Sequence, residues 1–317
     1  MKIAVVLNAA AGSLLGRTIP EEVERIGRIL REAGHDATVV AESGAAVVPL
    51  IEQAAASEAE AVIVGGGDGT VAAAANRLVD TGKALGILPL GTLNLYARDL
   101  GMPDEIDAAV QALAGGTPRK LDVGEVNGRI FLNHSILGLY PRIVEEREET
   151  RETLGVRHWR VSKWPAMAVA LLRALRDYPL LSVTLVADGR RRHFVTPGLA
   201  VANNAYDDAA YLRRSRLDSG RLALYVAKHR SPWHMVRLIV AIMLGRWQRD
   251  EALEVLELEE LTVTTLRRRL RVANDGEVER MTPPLRYRIR PGALTVLVPA
   301  TAEISGEPAP SMTGTAA

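Results

Sequence analysis

The chain contains no cysteine, and only 4% of its 317 residues are aromatic. Without cysteine there are no disulfides and no thiolate metal site, a composition compatible with a reducing cytoplasm. Scarce aromatics leave few platforms on which bases could stack, which counts against nucleic acid as a partner. The apolar runs at 165–172 and 238–244 fall far short of the roughly 18 residues that a membrane span requires. The opening apolar stretch stops at Leu7, with Asn8 next, so it is expected to be a strand rather than a leader. None of the six histidines forms a pair with metal-ligand spacing, and no internal repeat is visible.

What is present is a globular composition, 48% hydrophobic and 24% charged, in a chain long enough for two domains. The net charge of +1 conceals an asymmetry, with 10 basic and 15 acidic residues in 1–120 and 29 against 23 beyond. The basic part carries Arg190-Arg191-Arg192, Arg213-Arg214-Ser215-Arg216 and Arg267-Arg268-Arg269-Leu270-Arg271. A solvated face and attraction to an anionic membrane surface both fit these runs.

Along residues 1–119 short apolar segments alternate with helical ones. Strands are expected at 2–7, 37–41, 61–64 and 84–90. Helices are expected from Pro20 to Gly34, at 45–56, at 70–79 and at 104–113. That alternation predicts an α/β domain with a doubly wound parallel sheet. From about Lys120 the pattern turns to strands joined by short turns, Asn127-Gly128, Asp188-Gly189 and Asp275-Gly276, the residue pairs that favour tight hairpins. Strands are expected at 181–187, 194–202, 222–227, 253–258, 261–274, around Val278 and at 285–289. Helices are expected at 159–176 and from Pro232 to about Arg246. Residues 120–290 therefore read as a second, mostly antiparallel β-sandwich domain, with 291–300 available to rejoin the first. The tail, 301–317, has too few apolar residues to pack and is expected to be disordered.

The most unusual stretch is Ala61–Thr70, AVIVGGGDGT, a buried strand running into Gly65, Gly66, Gly67, Asp68, Gly69 and Thr70 and then an alanine-rich helix. Glycines there let the backbone take positive φ and approach a ligand, and the amides of the helix start suit an anion. The loop is neither a P-loop, lacking Gly-Lys-Ser/Thr, nor a GxGxxG fingerprint. An embedded carboxylate is repelled by phosphate unless a cation, donor or hydroxyl stands between, so Asp68 points to metal-assisted phosphate chemistry or, more simply, to a helix cap. Loops Asn8–Ser13, Gly65–Thr70 and Gly91–Asn94 each follow a parallel strand, so all three are expected on one edge, forming one site.

GGGDGT at 65–70 and PLGTLNLYARDLGMP at 89–103 resemble the signature of the diacylglycerol kinase catalytic domain, the superfamily of bacterial lipid kinases and sphingosine kinases, distantly related to NAD kinases. The likeness continues through LDVGEVNGRIFLN at 121–133, LDSGRL at 217–222 and DGEVERMTPPLRYRI at 275–289. The resemblance implies a nucleotide held by Asn8, Gly12 and Ser13, by Gly65 to Thr70, and by Gly91, Thr92 and Asn94. It implies that Asp275, as general base, and Glu277 reach the cleft from the second domain, and that Asp218 and Asp122 belong to a Mg²⁺ site. Ala9 and Ala11 depart from the family's Asn-Pro-x-Ser-Gly, removing a rigid residue and a hydroxyl that Ser13 could replace. Arg151 and Arg157 are candidate phosphate contacts.

The activity implied is ATP- and Mg²⁺-dependent phosphorylation of a lipid hydroxyl, diacylglycerol-like or sphingoid, by a cytoplasmic protein peripheral at the inner membrane face. An NAD kinase-like enzyme and a non-catalytic nucleotide- or lipid-binding regulator are the alternatives. The oligomeric state stays open, a homodimer among the options.

Overall fold

A computed structural model describes residues 1–145, 178, 180–187, 189–207, 213, 214, 216–228, 231–243, 245–247, 250, 253–300, 302, 307 and 308. The helix expected at 159–176, Asp188, and the candidates Arg151 and Arg157 lie outside the described residues.

The N-terminal part alternates as expected: β1 (Lys2–Asn8), α1 (Ile19–Glu32), β2 (Asp36–Glu42), α2 (Val47–Ala56), β3 (Ala61–Gly66), α3 (Asp68–Leu78), β4 (Ala84–Pro89), α4 (Leu95–Asp99) and α5 (Ile106–Ala114). β2, β1, β3 and β4 lie side by side, all parallel. β3 and β4 are buried at every position, as strands covered on both faces must be.

The remaining strands are β5 (Thr117–Val126), β6 (Arg129–Phe131), β7 (His134–Gly138), β8 (Leu181–Ala187), β9 (Arg190–Thr196), β10 (Gly198–Asn203), β11 (Leu222–Ala227), β12 (Leu253–Leu258), β13 (Glu260–Thr264), β14 (Leu270–Asn274), β15 (Glu277–Met281) and β16 (Leu285–Val298), with α6 at Pro232–Met243. Residues 139–145 are helical. β12, β11, β10, β7, β14 and β15 make a six-stranded antiparallel sheet. Val126, Phe131, Leu137, Val183, Leu224 and Tyr287 belong to the core packed between it and the other sheet.

Two expected strands are each two strands. The stretch 194–202 breaks at Pro197, and 261–274 breaks at 265–269, with the pieces in different sheets. Proline cannot donate to a ladder, so Pro197 falls where the chain changes sheet. The tail is not wholly without structure either, since Glu307–Pro308 pair antiparallel with Lys120 and Arg119.

β16 joins the two halves. Its first part pairs antiparallel with β13 and β5, and after a register shift between Arg290 and Leu294 it pairs parallel with β4 at Thr295 and Val296. Asp122 pins this crossing: its Oδ1 accepts from Gly292 N–H at 3.0 Å, and its Oδ2 from Gly220 N–H at 2.7 Å and Asn204 Nδ2 at 3.2 Å.

Candidate active site

β1, β3 and β4 end at Asn8, Gly66 and Pro89, and because they are parallel the loops that follow gather on one edge, where open α/β sheets bind ligands. Hydrogen bonds stitch the loops together. Asn8 Nδ2 donates to Thr70 Oγ1 at 3.3 Å, while its Oδ1 accepts from Ala10 N–H at 3.1 Å. Leu90 N–H donates to the Gly66 carbonyl, and Ser13 N–H to the Leu90 carbonyl, both at 3.1 Å. Gly12 and Thr92 lie on the exposed rim. Asn94, in the left-handed region at φ 48°, closes its own turn by accepting from Gly91 N–H at 2.9 Å.

The glycines do not take the positive φ expected of them. None of Gly65, Gly66, Gly67, Gly69 or Gly91 has a positive φ. They leave room instead: a β-carbon would stand 2.6 Å from Leu7 Cδ2 at Gly65, 2.6 Å from Thr70 at Gly66 and 2.4 Å from Gly67 Cα at Gly91. Helix α3 also begins earlier than expected, with Gly67 at the cap and Asp68 as its first residue. Asp68 is therefore not the cap. Its Oδ1 accepts from Leu95 N–H at 2.8 Å, so the carboxylate ties the glycine loop to α4, a short helix that the sequence reading missed. Burial raises the Asp68 carboxyl above the usual range, and the amides of Leu95, Asn94 and Tyr96 pull it back.

The second wall comes from the β14–β15 hairpin. Asp275 and Gly276 both have positive φ, 48° and 89°, the geometry a tight two-residue turn demands. The turn drives the Asp275 carboxylate inward, where Oδ2 accepts from Leu132 N–H at 2.7 Å and Oδ1 from Asn133 and His134 N–H at 2.8 and 3.1 Å. Burial lifts this carboxyl to about 6, although the three amides and the Arg214 guanidinium act in the opposite direction. Two residues on, Glu277 reaches the glycine loop: its Oε1 lies 3.0 Å from where a Gly69 β-carbon would be. Asp275, Glu277, Asn274 and Glu279 share with Asn76 and Arg77 of α3 the lining of a 170 Å³ cavity. Asn76 holds the two walls in register by donating to the Ile130 carbonyl and accepting from Ile130 N–H, both at 2.9 Å.

One residue behind this wall was hidden in a basic run. Arg214 is buried, with its guanidinium 2.5 Å from Asp99. It donates to the carbonyls of Leu132 and Asn203 and to Asn133 Oδ1, each at 2.7 Å. It also lies over the Tyr96 and Tyr206 rings. It thereby anchors the 132–133 backbone whose amides cradle Asp275. No local signal separates it from its exposed neighbour Arg213; only the matching acid in Tyr96-Ala97-Arg98-Asp99 hints at a partner.

Asp122, expected beside a metal, accepts from three N–H donors, those of Gly292, Gly220 and Asn204. Asp218 lies 3.7 Å from Arg216 Nε. Among the described residues no group of three His, Cys, Asp or Glu side chains could hold a metal ion.

Residues 2–126 match the family described as Diacylglycerol kinase catalytic domain, and residues 154–298 match the YegS C-terminal NAD kinase beta sandwich-like domain. A protein of Pseudomonas aeruginosa named "Probable lipid kinase YegS-like" is 31% identical over 300 residues, 91% of this chain and 93% of its own. One from Chromohalobacter salexigens with the same name is 40% identical over 36% of this chain and 38% of its own. Among solved structures, that of a diacylglycerol kinase from Bacillus anthracis str. Sterne superposes with a TM-score of 0.67 at 18% identity, covering 95% of this chain and 98% of its own. A catalytic-domain match followed by a β-sandwich match, in the order the fold shows, defines the class as a kinase. The chain belongs to the YegS-like lipid kinases of the diacylglycerol kinase catalytic domain family. Kinases of this family draw their phosphoryl group from ATP.

Proposed function

We propose that the protein transfers the γ-phosphoryl group of ATP to the hydroxyl of a diacylglycerol-like or sphingoid lipid. The observation that carries this reading is the meeting of Glu277 with Gly69, which brings the acidic hairpin against the first turn of α3. ATP phosphates would lie along Asn8–Ser13, Gly65–Thr70 and Gly91–Asn94, facing the amides at the start of that helix. Mg²⁺ bound with a nucleotide commonly takes one or two carboxylates and fills the rest of its shell with phosphate and water, and Asp68, beside the glycine loop, would supply one. The ion would neutralise charge on the transferring group.

Asp275 is proposed as the base that accepts the lipid hydroxyl's proton. A carboxyl near 6 is ionised at neutral pH and basic enough to take a proton in the transition state. A second reading is favoured by the deeper burial of Asp275, whose two oxygens accept from three amides, whereas Asp68 is only half-buried beside the glycine loop. In that reading Asp68 takes the proton and Asp275 holds the wall. The basic second half would draw the protein to the anionic inner face of the membrane. No helix among the described residues is long and apolar enough to cross a bilayer.

The test is radiolabelled ATP with a panel of lipids in mixed micelles and a parallel arm containing NAD. Label in a lipid product supports the proposal. Label in NADP transfers it to the NAD kinase reading, and nucleotide binding with no labelled product leaves a non-catalytic regulator. Binding to phosphatidylglycerol vesicles should weaken steeply as salt rises, because exposed charges are screened within about 8 to 10 Å at physiological ionic strength. Salt-independent binding would remove the electrostatic attachment.

A further inference from the structure

The β14–β15 hairpin has a cavity at each end. The one at the Asp275 turn belongs to the active site. The other, 260 Å³, lies at the Leu270 end, about 13 Å away along the strand at roughly 3.3 Å per residue. Its lining includes Arg142, Arg267, Arg269, Arg271 and Arg280, and among the described residues no acidic one. Arg271 and Arg280 face each other directly across the strand pair, an arrangement that repulsion makes costly. Glu145 answers one charge, at 2.5 Å from Arg271 Nε, and Arg267 reaches the Leu180 carbonyl at 3.4 Å. Among the described residues the side chains of Arg269 and Arg280 make neither an ion pair nor a hydrogen bond.

Repulsion of this kind opposes folding unless something on the folded surface compensates it. A small anion entering the cavity would do so, and would be held only by the native state. Guanidinium forks match phosphate oxygens pairwise, which favours phosphate over a simple halide. Leu266, wholly exposed, stands next to Arg267, so an apolar tip adjoins the cationic cavity. We propose that this cavity is a second anion site that binds a phosphate group, separate from the nucleotide cleft. The phosphate is that of a phospholipid headgroup or a free phosphate, and the exposed Leu266 is the element that separates the two sources.

The site does not depend on phosphoryl transfer, so the experiment reads binding alone. Inorganic phosphate is titrated into the full chain and into Arg269→Gln/Arg280→Gln, with heat of binding and thermal midpoint recorded. The expected result is a loss of affinity on the order of tenfold to a hundredfold in the variant. In phosphate-free buffer the variant should melt at or above the wild type, since a like-charge pair has been removed; this also certifies its fold. Equal phosphate affinity in both proteins, or no phosphate binding to the wild type, overturns the proposal. Sedimentation with phosphatidylcholine vesicles, with and without phosphatidic acid, then identifies the source. A lipid source requires binding that needs phosphatidic acid, falls in the arginine variant and falls in Leu266→Ser, while Leu266→Ser keeps its affinity for inorganic phosphate. Vesicle binding indifferent to the arginines, with phosphate binding that needs them, assigns the site to a soluble phosphate.

Discussion

Glu277 stands over Gly69, so that a β-carbon on the glycine would lie 3.0 Å from the carboxylate oxygen. Gly69→Ala tests whether this closeness matters. Alanine is the better helix former by about 1 kcal/mol, so the thermal midpoint should hold or rise slightly. Displacing Glu277 should nonetheless lower kcat/KM, by up to about 10²-fold if positioning is at stake. Steady-state kinetics beside a melting curve separates the two effects, and an undiminished kcat/KM would leave the contact without a catalytic part.

Asp68 and Asp275 are distinguished by what each carboxylate holds. Asp68→Asn keeps an oxygen to accept from Leu95 N–H, whereas Asp68→Ala leaves that amide without its acceptor, at about 1 kcal/mol. Both variants should lose transfer and the asparagine variant should melt like the wild type. An active, folded Asp68→Asn would reduce the residue to a tie between loops.

Asn-Gly makes as good a turn as Asp-Gly, yet Asp275→Asn should not be silent in folding. An amide cannot accept at both ends, so its NH₂ would face either Leu132 N–H or the amides of Asn133 and His134. A loss of about 1–3 kcal/mol is expected from that clash of donors. If Asp275 is also the base, kcat should fall about 10² to 10⁴-fold with calorimetric ATP affinity little changed. Destabilisation with unchanged kcat would assign proton transfer to Asp68.

Two neighbours in this wall give stability opposite pH dependences. The native Asp275 carboxyl keeps its proton up to about 6, whereas the unfolded chain releases it near 4, so its contribution falls as pH rises through that window. Burial and the Arg214 charge lower His134 to about 4, so the unfolded chain binds the extra proton between about 4 and 6.5 and its contribution rises with pH. Each amounts to roughly 3 kcal/mol and they largely cancel between pH 4 and 6. His134→Gln should uncover the Asp275 slope: the variant's midpoint falls from pH 4.5 to 6 where the wild type's changes little. Parallel profiles in calorimetry would refute the pairing. If Asp275 is the base the sign reverses for activity, because the ionised carboxylate is then the working form and the rate should climb through about pH 6.

Arg214→Leu should be more damaging than any of these. It leaves Asp99 charged and uncompensated in the interior and frees the carbonyls of Leu132 and Asn203, a combination worth about 3–5 kcal/mol. Denaturant unfolding measures it directly; a loss below 1 kcal/mol would mean that the ion pair is replaceable.

The parallel sheet and its three loops were legible because βα alternation, buried apolar strands and parallel topology leave little choice about where loops emerge. The turns at Asn127-Gly128 and Asp275-Gly276 were legible because so few residue pairs tolerate positive φ twice. Changes of sheet at Pro197 and at 265–269 were not, since an apolar run reads the same whichever sheet each half joins. The positive φ expected of the loop glycines was wrong: sequence cannot tell a glycine needed for backbone conformation from one needed for clearance, and Leu7, Thr70 and Gly67 impose clearance here. Arg214 was invisible because its burial depends on an aspartate 115 residues away.

β16 also dictates an order of events during synthesis. Val296, Leu297 and Val298 complete the core beneath the first parallel sheet, and Thr295 and Val296 supply β4 with its outer neighbour. A growing chain that has released only its first 120 residues therefore has a glycine loop but an open sheet edge and a core with a missing wall. The first parallel sheet cannot complete its core until residue 298 has left the ribosome, so the unpaired side of β4 stands exposed for most of translation, where a chaperone or a wrong strand can reach it first.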